Sequence, residues 1–312
     1  KDSRSHITVR TPASTALYRL ALSGRIARPA RAALPILLLA LALPLSPPPA
    51  HAQDQPPPED EARLIIAAGG MVLGHVLTGD ARTDDMAQAG LLGLSMVLTQ
   101  RTSVEPGAPM AVDLEKDDLS VFSILYWPMT ADQPTPSVAA YRRLNTFLKT
   151  GGMILFDTRD ADLTSGGSLL SPEGQRLQEI AAFLDVPPLE PLPADHVLTR
   201  SFYLLQDFPG RHASRAIWVE AAPPDAEQAE GMPFRNLNDG VSPVVIGGND
   251  WAAAWAVDAD GAPLYPVGRG IAGDRQREIA YRFGINLVMY VLTGNYKSDQ
   301  VHVPALLERL GQ

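Results

Sequence analysis

Two uninterrupted apolar runs, Val121 to Trp127 (VFSILYW) and Met153 to Phe156 (MILF), constrain this chain most. A strand with one wet face alternates apolar and polar residues. A continuous run of this length fits a strand covered on both sides, which is the condition of a parallel sheet between helices. What lies between them agrees. Pro128 ends the first run, Thr135-Pro136 offers an N-cap and first helical residue, and Val138, Tyr141, Leu144 and Leu148 recur at helical spacing before Gly151-Gly152 stops the helix.

The same grammar extends both ways. A strand is expected near Leu73 to Leu77, followed by a helix capped at Thr83 and running to about Leu98, with Asp84 and Asp85 in its first turn. Ala89, Gly90 and Gly93 give that helix a small-residue face suited to close packing on a sheet. Ser171-Pro172 opens another helix, with Leu177, Ile180, Ala181 and Leu184 inward. Val197 to Leu205 and Ala216 to Val219 are less regular, and proline- and acid-rich loops are expected over Val186 to Asp195 and Ala221 to Pro233. Val244 to Gly247 and Trp251 to Val257 read as a hairpin across Gly248-Asn249-Asp250. A helix over Arg275 to Leu292 stops at Gly294-Asn295, and a short one follows over Val303 to Leu310. The fold class predicted is α/β, a doubly wound and mainly parallel sheet.

The N-terminal quarter is of another kind. Residues 1–31 hold seven basic side chains (Lys1, Arg4, Arg10, Arg19, Arg25, Arg28 and Arg31) against Asp2 alone. Residues 32–45 are apolar and uncharged, and Ala50 and Ala52 flank His51 beyond them. A basic stretch, a short apolar run and an A-x-A site are the pattern of an export signal. The long basic flank and the non-methionine first residue make the run equally an internal membrane anchor. Either way the arginines belong on the cytoplasmic side and the acidic remainder outside, with cleavage near Ala52 as the alternative to anchoring. Residues 46–61 form a proline-rich linker, and an α/β domain is expected over 62–312. The net charge of -9 argues against a nucleic-acid partner.

In a doubly wound sheet, ligands sit beyond the carboxyl ends of the strands. The candidate residues there are Thr78 and Asp80, then Tyr126 and Trp127, then Asp157, Arg159, Asp160 and Asp162. Asp80, Asp157 and Asp160 are candidate metal ligands, since hard cations prefer carboxylate oxygens; loop solvation is the plainer account. His196, with Arg200 and Tyr203 after it, is a candidate general base beside an anion clamp. Ser165 and Ser168 lie in a glycine-rich TSGGS loop that matches no phosphate-binding motif, and His75 reads as a core histidine. Gly268 to Gly273 spells G-x-G-x-x-G but follows a proline-rich loop, not a strand, so a nucleotide fingerprint is not expected. The chain has no cysteine, which removes thiol nucleophiles and thiolate metal ligands. No cofactor is indicated.

Five stretches together, VLTGD (76–80), VDLEKDDLSVFSILYWP (112–128), GGMILFDTRD (151–160), SFYLLQDFPGR (201–211) and REIAYRFGINLVMYVLTGNYKSDQVHVPALLERLG (277–311), resemble a bacterial family of unknown function. That family forms the C-terminal domain of large inner-membrane proteins whose N-terminal parts are similar to the aerotolerance-type Bat proteins. The resemblance implies a flavodoxin-like fold of the class I glutamine amidotransferase-like group, without the cysteine that its active relatives use. It places Asp157 in the strand-end region where a nucleophile would be expected, and makes Lys1 an internal residue of a longer membrane protein. It also implies companions in a membrane complex, a chaperone-like ATPase and von Willebrand factor A-like proteins among them. Three functions remain open: a non-catalytic envelope domain binding a ligand or protein; a hydrolase built on Asp80, Asp157 and Asp160 with His196 as base; and a structural spacer with Tyr126 and Trp127 as exposed packing elements.

Overall fold

The computed structural model describes residues 69–161, 171–213, 216–222 and 241–310, the side chains of 294–310 excepted. The expected anchor at 32–45, the basic flank 1–31, the linker 46–61, and Asp162, Ser165 and Ser168 lie outside the described residues. Among the described residues, no helix is long and apolar enough to cross a membrane.

Seven strands form one sheet: β1 (Gly74–Val76), β2 (Met110–Val112), β3 (Ile124–Pro128), β4 (Met153–Asp157), β5 (Leu189–Pro191), β6 (Trp218–Glu220) and β7 (Val244–Gly247). Their order is β2-β1-β3-β4-β7-β6-β5. The first five in that order are parallel, and β6 and β5 join antiparallel at the β7 side. The helices are α1 (Ala81–Arg101), α2 (Val138–Lys149), α3 (Pro172–Ala181), α4 (Trp251–Trp255) and α5 (Gly270–Leu310). The fold class read from the sequence is therefore present, as an α/β protein with a mostly parallel sheet.

The two apolar runs explain the layers. Successive side chains of a strand point to opposite faces. Ile124, Tyr126, Met153 and Leu155 join one core with α1, α4 and α5, while Leu125, Trp127, Ile154 and Phe156 join the other with α2 and α3. Both faces are dry, which is why neither run alternates.

Local expectations differ from the structure at definite points. Asp80, not Thr83, caps α1, its carboxyl accepting from the Thr83 amide at 3.1 Å and hydroxyl at 2.6 Å. Ser137, not Thr135, caps α2. Val197 to Thr199 is a turn of 3-10 helix, β5 lies inside an expected loop, and α5 continues through Gly294-Asn295. The largest correction concerns the expected hairpin. Val244 to Gly247 pairs in parallel with β4, and Trp251 to Trp255 is a helix. A short apolar run rich in alanine carries no period that separates strand from buried helix.

This helix explains the glycines of α1. A methyl group at Gly90 would meet the backbone of Ala252, and one at Gly93 the carbonyl of Trp255. The small-residue face thus packs on α4 rather than on the sheet. The closeness lets the Trp255 indole donate to the Ala280 carbonyl at 2.8 Å while Tyr281 donates to the Trp255 carbonyl at 2.9 Å, tying α4 to α5. Gly93→Ala should lower stability by about 1–3 kcal/mol in urea unfolding, because a rigid backbone must move, even though alanine is the better helix former. A neutral or stabilising result would mean that α1 and α4 are not in contact there.

Candidate functional site

The strand ends are organised around Asp157, the last residue of β4. Its side chain is buried. One oxygen accepts from the Tyr126 hydroxyl at 2.9 Å and the Trp251 amide at 2.8 Å; the other accepts from the Arg159 and Asp250 amides, each at 3.1 Å. Four donors occupy the roughly four lone-pair positions of a carboxylate. Asp250 makes no side-chain cap for α4, so Asp157 supplies that cap from the neighbouring strand. Burial first, then the Asp250 carboxyl, push the Asp157 carboxyl from its ordinary 3.8 up to about 7, against the opposing pull of the Trp251 amide, the Tyr126 hydroxyl and the Asp250 amide. Burial and the nearby acids hold the Tyr126 phenol well above 10.0.

The flanking residues carry backbone tension. Among the described residues, Arg159 (φ 57) and Asp250 (φ 54) are the non-glycine positions with positive φ, and both sit just beyond strand ends. Such conformations cost energy and collect at functional sites. Arg159 donates to the Met129 carbonyl at 2.8 Å, but its Nε is buried without a hydrogen-bond partner. Asp250 is also buried; one oxygen lies 3.5 Å from Arg211, and Oδ1 has no hydrogen-bond partner. Burial raises the Asp250 carboxyl above its ordinary value, and Arg159, Arg211 and His212 pull it back.

On the other side of the same loop, the Asp160 carboxyl accepts from Thr158 and Ser171, the second of which caps α3. Gly248 packs closely here, since a methyl group would meet the Asp160 carboxyl and the Thr158 hydroxyl and displace them. Beside these groups opens a cleft of ≈ 550 Å³ between α3 and strands β5, β6 and β7. Its volume is that of a small-molecule site.

The candidates named from sequence therefore separate into groups. Asp157, Arg159 and Asp160 share the loop after β4. Asp80 is exposed, and Thr83 holds its carboxyl below the usual range. Thr78 is buried and donates to Asp84 from amide and hydroxyl, at 2.8 and 2.7 Å. Neither oxygen-rich residue joins Asp157 and Asp160 in a metal cluster: among the described residues, no three His, Asp or Glu side chains are placed to hold an ion.

Tyr126 and Trp127 are core residues on opposite faces, not exposed aromatics; the Trp127 ring packs on Phe156 with centroids 5.2 Å apart. His196 caps the Val197–Thr199 turn and meets the edge of Tyr290 at 5.5 Å. Tyr290 in turn accepts from the Ser242 amide, just before β7 begins. Asp157 pairs with Gly247 at the far end of β7. Five residues of strand put the two ends roughly 16 Å apart, so His196 cannot serve as a base for Asp157. Arg200 stays with it, bonded to the Asp195 carbonyl. His75 is buried against Gln88, its pKa lowered by burial. The G-x-G-x-x-G segment leads into α5, with Gly268 and Gly270 at positive φ.

Sequence reasoning missed Asp250, Arg211 and Trp218. Asp250 was hidden by the hairpin reading of Gly248-Asn249-Asp250; for the other two no local signal existed.

These features define a doubly wound α/β domain whose strand ends are tied by a buried acid. Residues 72–292 match the family described as Domain of unknown function (DUF4159). The chain belongs to that family. No curated protein matches it.

A raised carboxyl pKa has a definite sign in stability. Between the unfolded value near 4 and the folded value of about 7, the folded chain keeps a proton that the unfolded chain has released. Stability then falls as pH rises across that window, by up to about 1.4 kcal/mol per unit, and levels off above it. Urea unfolding at pH 5 and pH 8 checks this. Tyr126→Phe removes a bond that lowers the Asp157 pKa, so its sloping region should extend to higher pH; an unchanged profile would uncouple Asp157 from the trend.

Proposed function

We propose that the chain is a non-catalytic recognition domain of a bacterial envelope assembly, binding a small ligand at the cleft beside the β4 loop. One observation carries this reading. The acid at the centre of the strand ends is buried and occupied by four donors. It is a brace: its two oxygens are enclosed by the Tyr126, Arg159, Asp250 and Trp251 donors, which keeps a substrate from reaching them. The loop that it braces instead presents Thr158 and Asp160 to an open cleft. The hydrolase reading finds less support, since His196 lies at the opposite strand end.

The finer parts of the proposal rest on sequence and topology. A flavodoxin-like, class I glutamine amidotransferase-like fold is supported by the order of the parallel strands, which is 2-1-3-4-5 when β7 is counted fifth. The lack of cysteine separates such a domain from thiol chemistry. A tether in the inner membrane through 32–45, with the α/β domain on the periplasmic side, is supported by the basic flank and apolar run. In a Bat-like setting its partners would be other proteins of the same membrane complex.

Thermal unfolding of the detergent-solubilised full chain with metals, nucleotides, amino acids, sugars and apolar amines tests the core of this. A ligand at 100 times its dissociation constant adds about 2.7 kcal/mol, or roughly 5–10 °C for a domain of this size. Ala181→Trp, which fills the cleft from α3, should abolish the shift while the unliganded melting point stays close to wild type. Turnover of the stabilising compound, or of ester and phosphoester substrates, would overturn the non-catalytic reading.

A further inference from the structure

The residues just after β7 join two parts of the molecule that the chain keeps far apart. Asp250 and Trp251 give their amides to the Asp157 carboxyl, and the same residues, with Asn249, hold the loop over 204–213. We propose that Asp157 and Asp250 form a proton-held clasp on that loop, closed while the buried pair keeps a proton and loosened when the proton passes to water. This device is independent of what occupies the cleft beside α3.

Bonds run between residues 249–251 and the loop in both directions. The Arg211 and His212 amides donate to the Asp250 and Asn249 carbonyls at 3.2 and 3.0 Å. In return, the Asn249 side-chain amide and the Trp251 indole both donate to the Phe208 carbonyl, at 2.8 and 3.1 Å. Gly210 lies so close that a methyl group there would meet the Asn249 carbonyl. From α5, Gln276 donates to the Gly210 and Arg211 carbonyls at 2.9 and 3.0 Å. A shift at residues 249–251 therefore reaches the loop through directly bonded atoms. The joint also stores tension, since Arg159 and Asp250 stand at positive φ and the bonds from their amides to Asp157 keep them there.

Two acids in one dry joint are poorly placed to be ionised together. Asp157 is 0% and Asp250 4% exposed. Donors enclose Asp157, but Asp250 Oδ1 has no hydrogen-bond partner and its other oxygen lies 3.5 Å from Arg211. The groups facing the pair are Tyr126 from β3, Arg159 from the loop after β4, and Arg211 and His212 from loop 204–213; Asp80, at the start of α1, in turn feels the Arg159 charge. With both acids charged, a carboxylate oxygen is buried without a donor beside a second carboxylate, which is costly. Burial accordingly raises both carboxyls, Asp157 to about 7. Loosened into water, Asp157 returns toward 3.8 and gives up its proton. Between those two values opening releases a proton and becomes easier as pH rises; above them both states are ionised and the dependence ends.

Amide hydrogen exchange of the detergent-solubilised full chain tests the clasp, in the regime where the rate tracks the opening equilibrium and with the intrinsic rate divided out at each pH. The amides to follow are Asp250 and Trp251, bonded to Asp157, and Arg211 and His212, bonded to the carbonyls of 249 and 250. Their opening should rise roughly tenfold per pH unit from about pH 5 to about pH 7 and level off by about pH 8. At the upper end they should exchange faster than the amides of Tyr126 and Leu155, which lie inside β3 and β4. Asp250→Asn keeps a residue type that tolerates positive φ and removes the second acid, so the levelling-off should move to lower pH. Arg211→Gln removes a cation that favours the ionised pair, so it should move the levelling-off to higher pH. Opening that stays flat across this range, or a profile that neither substitution moves, would overturn the clasp. Exchange of the four amides at the same rate as Tyr126 and Leu155 would also overturn it, because the whole domain would then be opening and not the loop.

Discussion

A carboxyl group that accepts four hydrogen bonds in a dry interior is the joint on which the strand ends depend. Asp157 terminates β4, receives the hydroxyl of Tyr126 from β3, and caps α4 beyond β7 through two backbone amides. A fourth bond, from the Arg159 amide, bends the chain away at positive φ. Without an acceptor at that point, two buried backbone donors and a buried phenol would lack partners, each a desolvation cost of about 1–3 kcal/mol. Burial and the neighbouring Asp250 carboxyl oppose a charge there, the donors favour it, and the pKa of about 7 reflects the balance.

The positions of α4 and α5 follow from that joint. Capped by Asp157, α4 packs against α1 and α5, and only glycine at 90 and 93 allows α1 to approach it. Its two indoles reach opposite neighbours: Trp251 donates to the Phe208 carbonyl at 3.1 Å and Trp255 to Ala280 at 2.8 Å. Loop 204–213 is held to the same corner, with the Arg211 and His212 amides bonded to the Asp250 and Asn249 carbonyls. One face of the sheet is thus filled by helix, while on the opposite face, among the described residues, a cleft lies at β6 and β7.

Much of the architecture was legible because burial leaves a periodic trace. Continuous apolar runs marked β3 and β4, a cap followed by proline marked α3, and paired glycines marked the end of α2. The trace fails where elements are short. WAAAW has too few residues to show a helical period, and β2, β5 and β6 are three-residue strands defined by their neighbours. Of the candidate site, the loop from Asp157 to Asp160 was legible as polar residues after a buried strand. Whether Asp157 attacks, binds or braces was not, since that depends on donors supplied from residues 126, 250 and 251.

The amino-acid sequence by itself determined the class of fold, the sign and placement of charge, and the exclusion of thiol chemistry, because composition and hydrophobic period act within a single segment. Tertiary structure alone decided that Asp157 is enclosed, that His196 stands at the other end of the sheet, and that Trp218 lines a cleft with the loop after β4. Each of these is a relation between residues far apart in the chain. Hydrogen-bond partners, burial and distance come into being only when the strands are set side by side.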